Sequence, residues 1–221
     1  MSGLSFTQEF FLCAVNKKGD IPAFSATEIV SCLVAGGIAE LETRGLIVRN
    51  ANDKLAAAKE WDGSLPYLKP LYDRIASFKK PKDASDAAEP FVFSLTNKKL
   101  DELLSAVRES LYAAECLDER TGQGLLKNKT KYPPKADAAE RVIKKVRAEF
   151  LGDGAIPDQT VCLVALLDKS GIIKNYFSKV ESEKFKGRLK EIRKSDTYTS
   201  VKRLLNSIDE LSAAVVIAVV D

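Results

Sequence analysis

Apolar residues recur every three or four positions along most of this 221-residue chain, which is the spacing of one buried face of an α-helix. The clearest case lies in residues 96–115, where leucine and valine fall on one face and charged side chains on the other. Helices of this kind become stable when they pack against one another around a shared core. We therefore predict a mostly α fold, a single compact helical domain over residues 1–221 with one protruding β-hairpin and a short strand pair.

The starts of the first two helices carry capping signals. Ser5 and Gln8 have the spacing of a capping box, and so do Ser25 and Glu28. In such a box, the serine hydroxyl and the longer polar side chain each accept a hydrogen bond from the other residue's backbone N–H. We expect a helix directly after each of these serines.

Glycines indicate close packing within the second helix and then its end. Gly36 and Gly37 lie in the helix interior, where each costs roughly 1 kcal/mol relative to alanine, so we expect another backbone to pack closely there. Gly45 is placed to cap the C-terminus of the helix. Residues 46–48 then predict a short strand, paired across a turn with residues 54–57.

The rest of the chain is predicted to form helices, one surface loop and one hairpin. Residues 79–90 are polar and rich in proline, alanine and aspartate, which predicts a surface loop. Residues 116–133 predict a β-hairpin, because Gly122 and Gly124 separate two short segments. Further helices are expected at residues 67–78, 136–151, 160–167, 171–180, 183–193 and 197–219.

The chain contains no histidine, which excludes Ser-His-Asp and Cys-His catalytic sites and every histidine-containing metal site. No phosphate-binding glycine loop or nucleophile elbow occurs, and neighbouring carboxylates such as Glu40 and Glu42 are attributed to solvated helix surface. Only carboxylate- or lysine-dependent catalysis is left open. We expect no enzyme, no metal and no cofactor. The four cysteines form no Cys-x-x-Cys pair, and we expect buried thiols at Cys13, Cys32, Cys116 and Cys162.

Two features of the sequence bear on location. Residues 1–10 lack the basic start of a signal peptide. The longest uninterrupted apolar run, residues 213–220, is far shorter than the roughly 20 residues that cross a bilayer. We expect a cytoplasmic protein with reduced thiols that lies at most at the periphery of a membrane.

The formal net charge of +3 hides a segregated distribution. Residues 120–147 carry nine basic and two acidic side chains, and residues 169–203 carry eleven and four. Such blocks create local positive fields, so we expect an anionic partner, although any single lysine is better explained as solvated helix surface. Phospholipid headgroups fit better than nucleic acid, because stacking aromatic residues are sparse in the blocks and no nucleic-acid-binding motif occurs.

Several short segments follow one another in an order typical of a known family. They are residues 4–15, Gly19, residues 33–41, 43–47 and 107–111, Tyr132 with Pro133, and residues 143–146, 161–167, 175–177 and 213–216. Over nearly the whole chain this set resembles the Golgi phosphoprotein 3 family. The resemblance implies one mostly helical, non-enzymatic domain with a hairpin that mediates self-association. In eukaryotic members it also implies binding to phosphatidylinositol 4-phosphate on Golgi membranes and to the cytosolic tails of glycosyltransferases.

The resemblance further implies where lipid-contacting residues lie. Eukaryotic members use one tryptophan and three arginines, of which this chain keeps one arginine, Arg108. The other three positions are Ser25, Val34 and Ser105. A divergent member that binds ordinary anionic lipid is therefore expected, because recognition of one phosphoinositide needs several convergent donors. Arg108 is equally placed to pair with Asp101 or Glu109 on its own helix.

The sequence thus predicts a non-enzymatic peripheral membrane protein that binds phospholipid headgroups of the phosphatidylinositol phosphate type. The candidate phosphate-binding residues are Arg108, Arg120, Lys127, Lys129 and Lys131. The alternative is a soluble oligomeric scaffold without a specific lipid ligand, whose basic faces meet acidic surfaces of a protein partner or a sister subunit.

Overall fold

A computed structural model describes residues 3–93, 96–121, 130–152, 154–194 and 198–220. Within these ranges it contains nine α-helices and two antiparallel two-stranded sheets, which confirms the mostly α prediction. The helices are α1 Phe6–Ala14, α2 Ala26–Thr43, α3 Lys69–Ala76, α4 Ala84–Val92, α5 Lys98–Ala113, α6 Ala138–Leu151, α7 Asp158–Lys169, α8 Lys179–Lys194 and α9 Thr199–Val220. The strands are β1 Ile47–Arg49, β2 Leu55–Ala57, β3 Arg120–Thr121 and β4 Thr130–Lys131.

The first capping box is present and the second is not. The backbone N–H of Gln8 donates to Ser5 Oγ at 3.3 Å, and the N–H of Ser5 donates to Gln8 Oε1 at 3.0 Å. At the second position a short 3-10 turn, Ala23–Ser25, leads into α2, and the side chain of Ser25 caps no backbone group. The Ser25–Glu28 capping box is therefore a wrong prediction, because the 3-10 turn already orders the entry to the helix.

Helix α2 is the centre of the molecule. Every residue from Ile29 to Leu41 is buried, and the helix packs against α1, α4, α7 and α9. A methyl group added at Gly36 would lie 2.8 Å from Thr7 Oγ1, and one added at Gly37 would lie 2.8 Å from Leu71 Cδ2. The glycines therefore allow close packing as predicted, but the groups that approach them are side chains and not a backbone.

The end of α2 has the geometry of a Schellman motif. Gly45 adopts a φ of +65°, its N–H donates to Glu42 O at 2.9 Å, and the N–H of Leu46 donates to Leu41 O at 2.9 Å. The capping role predicted for Gly45 is confirmed. The chain then reverses through β1 and β2, in which Ile47 pairs with Ala57.

Among the described residues, one helical segment, Ala23–Thr43, is long and apolar enough to cross a membrane. No such segment was predicted from the sequence, because uninterrupted apolar runs miss a helix that contains isolated polar residues. In the fold, 72% of its most apolar window is buried against other helices, as expected for the core helix of a globular protein.

Two further local predictions were wrong. Residues 79–90 were predicted to form a surface loop, but helix α4 occupies Ala84–Val92 and buries Ala84, Ala87, Ala88 and Phe91 on one face. Residues 171–180 were predicted to be helical, but the segment contains a short 3-10 helix, Ile172–Asn175, before α8 begins at Lys179. The other predicted helices are present with ends shifted by a few residues.

The four cysteines are free and buried, as predicted. Burial raises the pKa of Cys13, Cys32 and Cys162 to about 12 in each case. A thiol with such a pKa is almost wholly protonated at neutral pH and is a poor nucleophile. These side chains therefore serve as small apolar groups in the core.

Candidate functional site

A surface cleft of about 290 Å³ lies where α5, the α1–α2 loop and the base of the second hairpin meet. It is lined by Gly19, Asp20, Asp101, Leu104, Ser105, Arg108, Glu109, Thr130, Lys131 and Tyr132. Three segments that are distant in sequence therefore form one site. Two of the predicted phosphate-binding residues, Arg108 and Lys131, line it together.

The α1–α2 loop is held in a tight turn that fits against the hairpin. Asn16 Oδ1 accepts hydrogen bonds from the N–H groups of Lys18 and Asp20, at 2.8 and 3.2 Å. Gly19 adopts a φ of +79°, and a methyl group added there would lie 2.4 Å from the carbonyl oxygen of Tyr132. Only glycine satisfies both the backbone conformation and this close approach.

An ion pair joins the same loop to the hairpin. Lys131 Nζ lies 2.8 Å from Asp20 Oδ2. Lys131 is also the cross-strand partner of Arg120, so two positive residues face each other in the β3–β4 ladder. Like charges in this position repel, and Asp20 offsets the repulsion by neutralising one of them.

Arg108 lies in the wall of the cleft and is half-buried. Its guanidinium carbon lies 5.8 Å from the ring centre of Phe11. It forms no hydrogen bond or ion pair with the described parts of the chain, including Asp101 and Glu109 of its own helix. Burial lowers the pKa of Arg108, and Asp20 and Asp101 oppose that shift. The guanidinium donors therefore remain available to a ligand.

The charges around the cleft are mixed. Arg108 and Lys131 are accompanied by three carboxylates, those of Asp20, Asp101 and Glu109. A multiply phosphorylated headgroup in this cleft would meet more acidic than basic side chains. The arrangement therefore suits a singly charged phosphate held by Arg108 better than a phosphate cluster.

The family model of Golgi phosphoprotein 3 (GPP34) matches residues 6–215, which is nearly the whole chain. The chain belongs to the Golgi phosphoprotein 3 family. A comparison with curated proteins finds no match.

The four positions at which Golgi phosphoprotein 3 relatives are expected to contact lipid separate into two groups. Ser105 and Arg108 lie one turn apart on α5 and both line the cleft. Ser25 does not line it, and Val34 has no exposed surface because it lies in the core face of α2. Of the four side chains expected to contact lipid in relatives, this chain keeps one, the guanidinium of Arg108, which lies in the cleft.

The remaining predicted residues belong to the hairpin. Arg120 is exposed on β3 and does not line the cleft. Lys127 and Lys129 lie outside the residues that the structure describes. The hairpin base is present as predicted: β3 pairs with β4, the N–H of Asp118 donates to Pro133 O at 2.9 Å, and that of Lys135 donates to Cys116 O at 3.0 Å.

The first basic block is less positive in the fold than in the sequence. Three of its members pair with acidic residues from outside the block: Lys131 with Asp20, Lys145 with Glu9, and Arg147 with Glu181. Sequence counting cannot detect these partners, because two of them lie more than 100 positions away. Arg120 and Lys135 have no ion pair with described residues.

The second basic block forms a groove of about 250 Å³ between α7, α8 and α9. Lys169, Lys186, Lys190 and Arg193 lie around an apolar floor that includes Leu189 and Leu205. Asp209 lies beside this rim and pairs with both Lys169 and Arg193, the latter at 3.0 Å. Asp209 of α9 thus partly neutralises the positive charge around the groove.

Glu40, which was predicted to lie on solvated helix surface, lines a cavity of about 130 Å³ near α1, α2 and α7. Glu40 is buried; it accepts a hydrogen bond from the N–H of Thr7 at 2.9 Å and one from the hydroxyl of Tyr67. Burial and the adjacent Glu40 raise the pKa of Tyr67. Glu42 is also largely buried and pairs with Arg49 at 3.0 Å. Both carboxylates stabilise the fold.

No group of three or more Cys, Asp or Glu side chains in the described ranges is placed to hold a metal ion. In these ranges, burial and internal ion pairs account for the groups whose pKa is strongly shifted. The cleft around Arg108 is therefore the candidate site considered below.

Proposed function

We propose that this member of the Golgi phosphoprotein 3 family is a non-catalytic peripheral membrane protein that binds anionic phospholipid, with the Arg108 cleft and the second hairpin facing the headgroups. The observation that carries the proposal is the state of Arg108. Its guanidinium is half-buried, lies in an open cleft and donates no hydrogen bond to described residues.

The physical reason is the cost of leaving a partly desolvated cation without a partner. Burial is the main cause that lowers the pKa of Arg108. The charged guanidinium is therefore less stable in the cleft of the free protein than it would be in water. A lipid phosphate in the cleft reverses this cost, because arginine and phosphate form paired, charge-assisted hydrogen bonds. Arg120 and the lysines of the hairpin would add attraction of about 1 kcal/mol each near an anionic surface.

The composition of the cleft also bears on selectivity. Only one of the four family lipid contacts is kept, and the three carboxylates repel additional phosphates. We therefore propose that binding depends mainly on the negative charge of the membrane surface and only weakly on the headgroup. Phosphatidylserine and phosphatidylinositol 4-phosphate, compared at equal surface charge, would bind the protein with similar affinity.

The test is co-sedimentation with vesicles of phosphatidylcholine alone and with added phosphatidylserine or phosphatidylinositol 4-phosphate, at low and at physiological salt. We expect pelleting with the anionic vesicles only, weakened by salt and by Arg108→Ala, and weakened further by Lys127→Ala with Lys129→Ala. Lys144→Ala, which removes an exposed charge on α6 outside the cleft, is the matched control. Equal pelleting with neutral and anionic vesicles would contradict the proposal.

The scaffold alternative is separated by the size of the protein without lipid. Light scattering on the wild-type chain and on a chain lacking residues 118–131 measures whether the hairpin mediates self-association. An oligomer that ignores every vesicle and dissociates on this deletion would replace the membrane proposal. Vesicle binding by a chain that is monomeric in solution would exclude the scaffold alternative.

A further inference from the structure

The most exposed apolar side chain among the described residues is that of Phe24, in the 3-10 turn before α2. Its relative exposure is 107%, so the ring touches almost nothing in the protein. The other large apolar side chains classed as exposed, those of Val48, Tyr112 and Val180, keep part of their surface covered. A phenylalanine held fully in water gives up the free energy that its burial would provide.

The loop that carries Phe24 also carries uncompensated positive charge. Lys17 and Lys18 are exposed, and neither forms an ion pair with the described part of the chain. The acidic residue between them and Phe24 is Asp20, whose carboxylate is already paired with Lys131. Glu28 follows in the first turn of α2, where the helix dipole partly balances its charge. The loop thus combines two free ammonium groups with one exposed ring.

The same loop forms a wall of the Arg108 cleft. Gly19 and Asp20 line that cleft, and Phe24 follows Asp20 by only four positions. Four residues of extended chain span at most about 14 Å, which limits the distance between the backbones of Asp20 and Phe24. The position of Gly19 against Tyr132 and the Lys131–Asp20 pair fix the loop to the hairpin.

We propose that Phe24 inserts into the interfacial region of an anionic bilayer while Lys17 and Lys18 contact its headgroups. An aromatic ring flanked by lysines is the combination that binds membrane interfaces, because the ring is buried among acyl chains and the ammonium groups stay at the charged surface. Insertion of this loop would bring Gly19 and Asp20, which line the Arg108 cleft, near the lipid. The inference rests on the proposed function and specifies which loop makes the contact.

The first experiment compares Phe24→Ser with Val180→Ser in vesicle co-sedimentation. Val180 lies on α8, on a different part of the chain, and is 67% exposed, so its substitution controls for the general loss of an exposed apolar side chain. We expect Phe24→Ser to lower the partition coefficient onto anionic vesicles about tenfold and Val180→Ser to leave it unchanged. Circular dichroism should show both variants folded, because neither ring nor methyl groups belong to the core.

The second experiment places a fluorescent probe at the loop. The chain has one tryptophan, Trp61, so a Trp61→Phe and Phe24→Trp double variant reports on position 24 alone. We expect its emission to shift to shorter wavelength with anionic vesicles and to be quenched by brominated acyl chains. A probe that stays in water while the protein pellets would overturn the inference.

The outcomes separate the inference from the proposed function. If Arg108→Ala weakens pelleting and Phe24→Ser does not, the protein binds membranes but not through this ring, and the inference is wrong. If the wild-type chain ignores anionic vesicles, the proposed function fails and the inference fails with it. If Phe24→Ser instead abolishes self-association in the absence of lipid, the ring is a protein contact, which also overturns the inference.

Discussion

The ammonium group of Lys145 contacts both carboxylate oxygens of Glu9, at 2.6 and 2.5 Å, and so joins α6 to α1. The side chain of Glu9 is 9% exposed and that of Lys145 is 33% exposed. Burial raises the pKa of Glu9, and the hydrogen bond and charge of Lys145 oppose the shift. A residue of the first basic block thus serves the core of the fold.

We predict that Lys145→Ala lowers the free energy of unfolding by about 2 kcal/mol, because it leaves the Glu9 carboxylate buried without its partner. Lys144→Ala is the matched control: the adjacent lysine pairs with Glu140, but the two side chains are 70% and 61% exposed. Its removal should cost less than about 0.5 kcal/mol. Urea unfolding followed by circular dichroism measures both, and similar losses would contradict a structural role for the Glu9 pair.

The cost of Lys145→Ala should also depend on pH. Because the pKa of Glu9 is raised above its ordinary value of 4.5, the folded protein holds this proton more tightly than the unfolded chain. The stability from this group is therefore fully present below that value and is lost as pH rises through the folded pKa. Without Lys145 the pKa rises further and the loss becomes larger. The difference between variant and wild type should be small in acid and largest near neutral pH, and a difference independent of pH would contradict this account.

A third prediction concerns Gly19, where the α1–α2 loop meets the hairpin. Gly19→Ala strains a φ of +79° and places a methyl group 2.4 Å from the carbonyl oxygen of Tyr132. Gly63→Ala is the control, because its φ of +76° is similar but no atom lies within 4 Å of the added group. We expect a loss of about 1 kcal/mol at Gly63 and about 3 kcal/mol at Gly19. Thermal unfolding measures both, and equal losses would show that the contact with the hairpin contributes nothing.

Sequence patterns were informative wherever the cause of a structure is local. The capping box of α1 and the glycine cap of α2 are set by neighbouring residues, and both were predicted from the sequence. Helix α4 was missed because its support comes from elsewhere. Its buried face is largely alanine, and the N–H of Ser85 in its first turn donates to Glu210 of α9 at 3.1 Å. No local pattern contains that bond.

The candidate site shows the same division. Arg108 was identified from the family resemblance, but its freedom from Asp101 and Glu109 became known only from side-chain geometry. The cleft joins residues 19–20 of a loop to α5 and the hairpin base, which lie more than 80 positions later in the sequence. Asp20 was therefore not predicted to be part of the site. Phe24 was missed because nothing in its sequence context distinguishes an exposed ring from a buried one.

The last prediction concerns Pro90, which lies inside α4 and helps explain why a loop was predicted there. A proline has no N–H to donate to the carbonyl four residues earlier, which is that of Asp86. Arg74 supplies the missing donor, since its Nη2 lies 2.8 Å from Asp86 O. A side chain of α3 thus replaces a backbone hydrogen bond of α4.

A double-mutant cycle tests this replacement. In Pro90→Ala the new N–H can bond Asp86 O, so Arg74→Ala should cost about 1 kcal/mol less in that background than in the wild type. The control cycle pairs Arg74→Ala with Glu89→Ala, because Glu89 is the exposed partner of the same guanidinium at 3.3 Å. Its coupling should stay below about 0.5 kcal/mol. If the two cycles give the same coupling energy, Arg74 stabilises α4 through its charge and not through the carbonyl that Pro90 leaves free.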